Sequence, residues 1–166
     1  MELEIIKHSD LLFKDLLRVI RVKSMAWPYP FGSQVEWIAN NISNSDLHVF
    51  LRDGDVDVAY LNLVETTFVV NDTEYLAYGV GNVCSTNKGK GFGRELLLQV
   101  NDYLKHTLHA GLLFCRKTLL SFYGKFGWEE VVREKCDVGS LPNDVHVMTY
   151  LIPEPISTFS YKGRFF

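Results

Sequence analysis

The sequence has few of the features that mark secreted, membrane or metal-binding proteins. Its three cysteines, Cys84, Cys115 and Cys136, are odd in number and widely spaced, which is typical of neither a disulfide framework nor paired zinc ligands. No apolar run approaches the roughly 20 residues of a membrane helix, and the segment Met1–Glu4 lacks the basic flank of a signal peptide. We therefore expect a cytoplasmic protein that binds neither a metal ion nor a membrane.

Positive charge is also scarce. The chain has 17 Lys and Arg against 20 Asp and Glu, a formal net charge of −3, and no basic run, so nucleic acid is not an expected partner. The hydrophobic share of 47% and the charged share of 22% are those of an ordinary globular chain. We predict a single domain over residues 1–166, of which 153–166 form an aromatic C-terminal tail.

Hydrophobic periodicity predicts an alternation of strands and helices with no internal repeat and no linker. The predicted strands are Leu3–Lys7, Leu47–Arg52, Val56–Val70, Tyr75–Cys84, Leu112–Cys115, Trp128–Arg133 and Val145–Ile152. The predicted helices begin after Ser9, at Ser33, at Phe92 and at Lys117, with Ser9 as the expected cap of the first. The three strands between residues 47 and 84 are expected to form an antiparallel meander.

A glycine-rich loop connects the strand that ends at Cys84 to the helix that begins at Phe92. The segment Lys88-Gly89-Lys90-Gly91-Phe92-Gly93-Arg94 has three glycines in five residues, flanked by basic side chains. Glycine permits positive φ and leaves room for a ligand, so successive N–H groups can converge on one anion at a helix N-terminus. The alternative is a tight β–α turn without a ligand, but the basic residues favour a phosphate or diphosphate site.

The spacing of the glycines excludes two other phosphate-binding loops. A nucleoside-triphosphate loop needs a glycine five residues before a Gly-Lys pair, where Cys84 stands before Gly89-Lys90. A dinucleotide fingerprint beginning at Gly89 needs a glycine at position 94, where the sequence has Arg94.

Two motifs in order resemble the GNAT superfamily of acyl-CoA-dependent N-acyltransferases. Lys88-x-x-Gly91-x-Gly93 is similar to the Arg/Gln-x-x-Gly-x-Gly/Ala signature of that family, with lysine in the first position. About thirty residues later, Phe122-Tyr123-Gly124-Lys125-Phe126-Gly127-Trp128 resembles its Phe-Tyr-x-Lys-x-Gly-Phe motif. The region past Trp128 is more distantly similar to aminoglycoside 2′-N-acetyltransferases.

The resemblance implies a fold, a cosubstrate and its site. The implied fold class is α/β (α+β), with a GNAT-like mixed, mostly antiparallel splayed sheet flanked by helices. The implied acyl donor is acetyl-CoA, whose pantetheine pairs with the backbone of Val83, Cys84 and Ser85. Its diphosphate meets the amides of Lys88, Gly89, Lys90, Gly91, Phe92, Gly93 and Arg94. The resemblance further implies a tendency to form homodimers.

The resemblance also assigns Tyr123 as the catalytic group at the leaving sulfur. A general base is useful as well, because an alkylamine with a pKa near 10.4 costs roughly 4 kcal/mol to deprotonate at pH 7. The glutamate that aminoglycoside-type relatives carry early on the strand before the loop is replaced here by Gly79. The base therefore stays open among Glu65, Glu74, His48, His146 and the terminal carboxylate of Phe166.

The acceptor is expected to be the primary amine of a small molecule, with an amino sugar as one candidate. The aromatic residues Trp27, Tyr29 and Phe31, with Trp37 nearby, form a candidate substrate wall; alternatively they plug the core beneath a Pro-rich turn. A protein or peptide N-acetyltransferase and a non-catalytic acyl-CoA sensor are the competing functions.

Overall fold

The computed structural model describes residues 1–166 and contains four α-helices and nine strands. The helices are α1 (Phe13–Ala26), α2 (Phe31–Asn41), α3 (Phe92–Thr107) and α4 (Leu120–Gly124). The strands are β1 (Glu2–Lys7), β2 (Leu47–Asp53), β3 (Val56–Val70), β4 (Thr73–Ser85), β5 (Ala110–Arg116), β6 (Glu129–Val131), β7 (Cys136–Asp137), β8 (Val145–Tyr150) and β9 (Phe159–Ser160). None of the helices has the length and apolar character needed to span a bilayer.

The strands form a mixed, mostly antiparallel sheet with the order β1-β2-β3-β4-β5-β8-β6. Antiparallel pairs join β1 to β2, β2 to β3, β5 to β8 and β6 to β8. β4 and β5 are parallel, from the pair Ala77↔Ala110 to the pair Gly79↔Leu112. Asn71 and Asp72, with φ of 48° and 65°, form the tight turn between β3 and β4. The expected α/β (α+β) fold class with a mostly antiparallel sheet and helices is confirmed.

The chain divides into two compact units, and the first contains residues 1–64 and 81–99. Its core is formed by the buried faces of α1 and α2 against β2, β3 and the end of β4. The residues of this core are Val19, Ile20, Val22, Ile38, Ile42, Phe50, Tyr60 and Cys84. The first unit therefore contains the whole glycine loop and the strand end that precedes it.

A partly buried ion-pair network fixes α1 to its sheet within the first unit. The guanidinium of Arg18 lies 2.6 Å from Glu4 of β1 and 2.8 Å from Asp57 of β3. Asp57 is 3% exposed, and the neighbouring Arg18 holds the pKa of its carboxyl below the usual value against the opposing effect of burial. A bidentate guanidinium thus satisfies a carboxylate that would otherwise be costly to bury.

The second unit contains residues 65–80 and 100–166. Its core includes Phe68, Val70, Ala77, Ala110, Leu112, Val131, Val138, Val147, Phe159 and Tyr161. The last two of these belong to the C-terminal tail, and β9 within this tail pairs with β3 and β7. Neither β7 nor β9 was predicted from the sequence. The single-domain organisation remains a prediction beside this division into units.

The start of the first helix differs from the prediction. Ser9 lies in a 3-10 turn, His8–Asp10, and α1 begins only at Phe13. The Asp15 carboxylate accepts a hydrogen bond from the Leu12 N–H at 3.2 Å, so an acidic side chain inside the first turn takes the capping role. The expectation that Ser9 caps α1 is therefore wrong.

Candidate active site

The glycine loop presents free backbone at the start of α3. Gly89 and Gly91 both have φ of 81°, and no atom lies within 4 Å of the position that a Cβ would take at either residue. The N–H of Glu95 donates to the Gly91 carbonyl at 3.0 Å, so the first helical turn begins here and leaves the preceding N–H groups without helical partners. This geometry fits an anionic group such as a diphosphate.

The basic side chains of the loop are available to an anion. Lys88, Lys90 and Arg94 are exposed, and no salt bridge within the chain occupies them. Phe92 and Gly93 are half-buried and begin α3. The loop thus combines backbone donors with positive charge, and the residues predicted to hold the acyl donor fit it.

The strand end before the loop is rigidly held. Thr86 donates its backbone N–H and its hydroxyl to the Val58 carbonyl, at 2.9 and 3.2 Å. Val83 and Ser85 are half-buried, whereas Cys84 is buried and burial raises the pKa of its thiol to about 12. A thiol this hard to ionise is a poor nucleophile, so Cys84 contributes packing and backbone.

The Pro-rich turn between α1 and α2 exposes two of its aromatic side chains. Tyr29 is 64% exposed and Phe31 is 51% exposed, so neither plugs the core. Trp27 is half-buried, and its carbonyl accepts a hydrogen bond from Gln34 Nε2 at 2.7 Å, which fixes the turn. The core-plug alternative therefore does not apply to Tyr29 and Phe31, and the substrate wall stays a prediction.

A cluster of mostly buried titratable side chains lies within the first unit. We name it the Lys23–His48 cluster; its members are His8, Lys23, His48, Tyr60 and Cys84. His48 is fully buried, and its two ring nitrogens lie 2.9 Å from His8 Nδ1 and 2.7 Å from the Tyr60 hydroxyl. Burial, reinforced by the charges of His8 and Lys23, lowers the pKa of His48 to about 4.

Lys23 is the member of this cluster that sequence reasoning missed. It is 4% exposed, its Nζ lies 3.8 Å above the ring centroid of Trp37, and no carboxylate pairs with it. Burial lowers the pKa of Lys23 to about 8. A signal was available, because Lys23 lies at helical spacing from Leu16, Val19 and Ile20 on the apolar stripe of α1.

Tyr123 lies in the second unit, in the short helix α4 that follows β5 after a 3-10 turn. It is 6% exposed and packs edge-on against Trp128, whose Nε1 donates to Asn101 Oδ1 at 3.0 Å. Burial, with a smaller effect from Cys115, raises the pKa of Tyr123 to about 12. The phenol therefore keeps its proton at neutral pH and can act as a hydrogen-bond donor.

The position that lacks the glutamate of aminoglycoside-type relatives is filled by an aromatic ring. A Cβ at Gly79 would fall within 2.8 Å of three ring carbons of Phe166, so only glycine fits beneath this ring. The Phe166 ring also lies 5.1 Å from the ring of Phe114 in β5. Glycine at this position therefore allows the C-terminal tail to pack on β4.

The structure separates the four candidate bases that are side chains. His48 is sealed in the Lys23–His48 cluster, and Glu65 and Glu74 are exposed on β3 and β4. His146 is partly exposed and pairs with Glu130 at 2.6 Å. The predicted cofactor and substrate residues, Val83–Arg94 and Trp27–Phe31, lie in the first unit, and Tyr123 lies in the second.

Both the sequence and the fold of the chain match known proteins. The family described as "Acetyltransferase (GNAT) domain" matches residues 11–131 of the chain. No curated protein sequence matches the chain significantly. Solved structures match its fold at low sequence identity.

Three of these structures have sequence identities of 17–20% and TM-scores of 0.54 to 0.65. An acyl-CoA N-acyltransferase from Pseudomonas aeruginosa is 18% identical, with a TM-score of 0.65 over 90% of this chain and 99% of its own. The ribosomal-protein-S18-alanine N-acetyltransferase of Escherichia coli is 20% identical, with a TM-score of 0.61 over 90% and 93%. The PaiA N-acetyltransferase of Thermoplasma acidophilum, in complex with coenzyme A, is 17% identical, with a TM-score of 0.54 over 90% and 99%.

Proposed function

The chain belongs to the GNAT family of acetyltransferases, and from this premise we propose that it transfers an acetyl group to the primary amine of a small molecule. The acyl donor is acetyl-CoA, which supplies an activated thioester when bound. An amino sugar is one candidate acceptor. A cytoplasmic location and a homodimeric assembly are further parts of this proposal, and native mass spectrometry of the purified protein tests the assembly.

The open glycine loop is the observation that carries the proposal. The amides from Lys88 to Arg94, with no side chain over Gly89 or Gly91, bind the diphosphate of the donor. Each such contact is worth roughly 0.3 to 1 kcal/mol, so several together with the basic side chains of the loop hold a highly charged group. Val83, Cys84 and Ser85 then align the pantetheine along β4.

Tyr123 holds its proton on the phenol oxygen and donates a hydrogen bond to the sulfur that leaves. Trp27, Tyr29 and Phe31 contact the acceptor, because aromatic rings such as the exposed ones of Tyr29 and Phe31 bind apolar and sugar surfaces. These roles are proposals that follow from the motif match and from the exposure of the rings.

Calorimetry with coenzyme A at low ionic strength tests the binding site. We expect Gly91→Ala to weaken coenzyme A binding at least tenfold, because the added Cβ occupies the open space and strains a φ of 81°. Gly54→Ala is the matched control, since Gly54 also has a positive φ of 58° and open space around it but lies in the turn between β2 and β3. Equal affinities of the two variants would refute the loop as the diphosphate site.

Thioester consumption with a panel of amines tests the acceptor class. We expect acetyl transfer to small primary amines such as glucosamine or phenethylamine, with the acetylated amine identified by mass spectrometry. Binding of coenzyme A without transfer to any amine would refute the proposed function while leaving the binding site in place.

A protein N-terminus is the second candidate acceptor. The observation that favours it is the similar fold of the Escherichia coli enzyme that acetylates the alanine of ribosomal protein S18. Including a short peptide with a free N-terminal alanine in the amine panel separates the two candidates. A kcat/KM for the peptide at least tenfold above that for every small amine would favour the protein acceptor.

A further inference from the structure

A histidine and a glutamate form an oriented pair at the edge of the sheet in the second unit. Nδ1 of His146 in β8 lies 2.6 Å from Oε1 of Glu130 in the neighbouring β6. Their side chains are 26% and 42% exposed, so a small molecule can reach both. Because a carboxylate only accepts, the imidazole must donate from Nδ1, which leaves the lone pair of Nε2 free to take a proton.

The pair lies beside the residue that neighbours Tyr123. His146 is the direct cross-strand partner of Cys115 in β5, so the two side chains share one face of the sheet. Tyr123 lies near the same Cys115: burial, with a smaller effect from Cys115, raises the pKa of Tyr123. Burial, with a smaller effect from Glu130, likewise raises the pKa of Cys115. We name these four residues, Cys115, Tyr123, Glu130 and His146, the Tyr123–His146 cluster.

A cavity of about 290 Å³ opens at this pair. Its walls combine apolar side chains, such as Val131, Leu141 and Val147, with the carboxylates of Glu130 and Glu134. That combination suits a ligand with an ammonium group on a small apolar body. Arg133 also borders the cavity, but the carbonyls of Leu141, Pro142 and Val145 occupy its guanidinium and so hold the surrounding loop.

We propose that this cavity binds the ammonium group of the acceptor and that His146 is a further acid–base residue of the transfer, an inference that rests on the proposed function. Nε2 of His146 takes one proton from the ammonium, which yields a neutral amine and an imidazolium. Glu130 is a positioning residue, because it accepts the hydrogen bond from Nδ1–H and so holds the imidazole in place. The imidazolium then returns the proton to water.

The acid–base role is tested by exchanging the two residues of the pair. His146→Gln keeps a donor for Glu130 but removes the basic nitrogen, and we expect kcat for an accepted amine to fall at least 100-fold. We expect Glu130→Gln to lower kcat for the same amine about tenfold. The KM for acetyl-CoA should change less than twofold in both, and added imidazole should restore part of the activity of His146→Gln but not of Glu130→Gln.

Matched controls come from the same types of residue outside the cluster. His106→Gln changes an exposed histidine of α3, and Glu129→Gln changes the residue beside Glu130 on the opposite face of β6. Both should keep kcat within twofold of the unchanged protein. Long-range ¹H–¹⁵N spectra should show the Nδ1–H tautomer of His146 in the unchanged protein and a mixture of the two tautomers in Glu130→Gln. If Glu130 had a purely structural role, its substitution would leave the tautomer unchanged.

Cys136 provides a readout of the cavity that does not depend on activity. It lines the cavity and is partly exposed, whereas Cys84 and Cys115 are buried and serve as internal references. Methyl methanethiosulfonate labels free thiols, and peptide mass spectrometry follows each site. We expect saturating phenethylamine or glucosamine to slow the labelling of Cys136 at least fivefold, while 2-phenylethanol and glucose, which lack the ammonium, leave the rate unchanged.

The outcomes separate this inference from the proposed function. Acetyl transfer that survives in His146→Gln within threefold of the unchanged protein overturns the acid–base role. An amine that is acetylated but does not protect Cys136 overturns the cavity as the ammonium site. If no amine is acetylated and amines still protect Cys136, the proposed function fails while the ammonium site stands.

Discussion

The Lys23–His48 cluster and the Tyr123–His146 cluster both collect titratable side chains, but they differ in access to solvent. His48 is fully buried and Lys23 is 4% exposed, whereas His146 is 26% exposed and borders a cavity. Burial shifts pKa values in both clusters, yet only the second leaves a basic nitrogen within reach of a substrate. A shifted pKa therefore indicates a functional residue only where geometry also provides access.

We therefore expect the two clusters to have different roles. Substitutions in the Lys23–His48 cluster should change the free energy of unfolding and its pH dependence, and substitutions in the Tyr123–His146 cluster should change turnover. A variant of the Lys23–His48 cluster that mainly changes turnover, or a variant of the Tyr123–His146 cluster that mainly changes unfolding free energy, would contradict this difference in roles.

His48 gives the largest expected effect, which is on stability in acid. Its pKa is lowered to about 4 in the folded protein from an unfolded value of 6.5, so the unfolded chain binds an extra proton between these values. The stability that His48 contributes is complete above pH 6.5 and is lost as the pH falls through 4, a loss of about 3 kcal/mol. Urea unfolding of His48→Gln should show this acid-dependent loss removed.

The exposed His106 is the matched control for His48. His106→Gln should leave the slope of unfolding free energy against pH unchanged between pH 6.5 and 4.5. The same slope in His48→Gln as in the unchanged protein would mean that water reaches His48.

Lys23 gives the next effect, with a different pH window. Its folded pKa of about 8 lies below the value of 10.5 in the unfolded chain, so its contribution to stability is present above pH 10.5 and lost as the pH falls to 8. At pH 7 the buried charge costs about 3 kcal/mol, and the contact with Trp37 returns about 1 kcal/mol. Lys23→Met should therefore raise the unfolding free energy by about 2 kcal/mol at pH 7.

This gain should shrink as the pH approaches 10.5, because the unfolded lysine then also loses its proton. Lys14→Met, at an exposed position of the same helix, should change stability by less than about 0.5 kcal/mol at either pH. A loss of stability in Lys23→Met would show that the ammonium has a partner that offsets its desolvation.

The fold was largely predictable because its signals are local. Alternation identified β2, β3 and β4, and the glycine loop followed by Phe92 located the start of α3 at the observed residue. The helix beginning at Ser33 was also predicted, although α2 begins two residues earlier at Phe31. Side-chain period and turn residues are enough for such elements.

The features that escaped prediction depend on contacts between distant residues. β9 exists because Phe159 and Ser160 pair with Val70 and Val69, a partnership that no local pattern announces. Gly79 reads as a missing glutamate in sequence, and its reason is the ring of Phe166, far along the chain. The pairing of His146 with Glu130 likewise depends on the register of β6 and β8.

Each cluster contains a buried tyrosine, Tyr60 or Tyr123, in which the same substitution can be made. Tyr60→Phe removes the hydroxyl 2.7 Å from His48 Nδ1 and leaves a buried nitrogen unpaired. We expect a loss of about 1.5 kcal/mol in unfolding free energy, measured in urea at pH 7, with turnover within twofold of the unchanged protein. A fall in turnover larger than the loss of folded protein would place Tyr60 in the site.

Tyr123→Phe should show the opposite pattern. The pKa of Tyr123, raised to about 12, lies well above the roughly 8.5 of a thiol, so full proton transfer to the departing sulfur is uphill by about 5 kcal/mol. A hydrogen bond from the phenol is then its main contribution, and removing it should lower turnover at least tenfold, about 1.4 kcal/mol.

The affinity for acetyl-CoA should change little in Tyr123→Phe, since the hydrogen bond strengthens only as charge develops on sulfur. Steady-state kinetics with an accepted amine, calorimetry with acetyl-CoA and urea unfolding together decide the matter. Unchanged turnover in Tyr123→Phe would reject the catalytic role of the hydroxyl. A loss of turnover matched by an equal loss of unfolding free energy would mean that Tyr123 acts through its packing against Trp128. Both tyrosines are buried and lose the same atom, so the cost in stability of removing a buried hydroxyl applies to both. A difference in turnover between the two variants therefore reports where the hydroxyl lies.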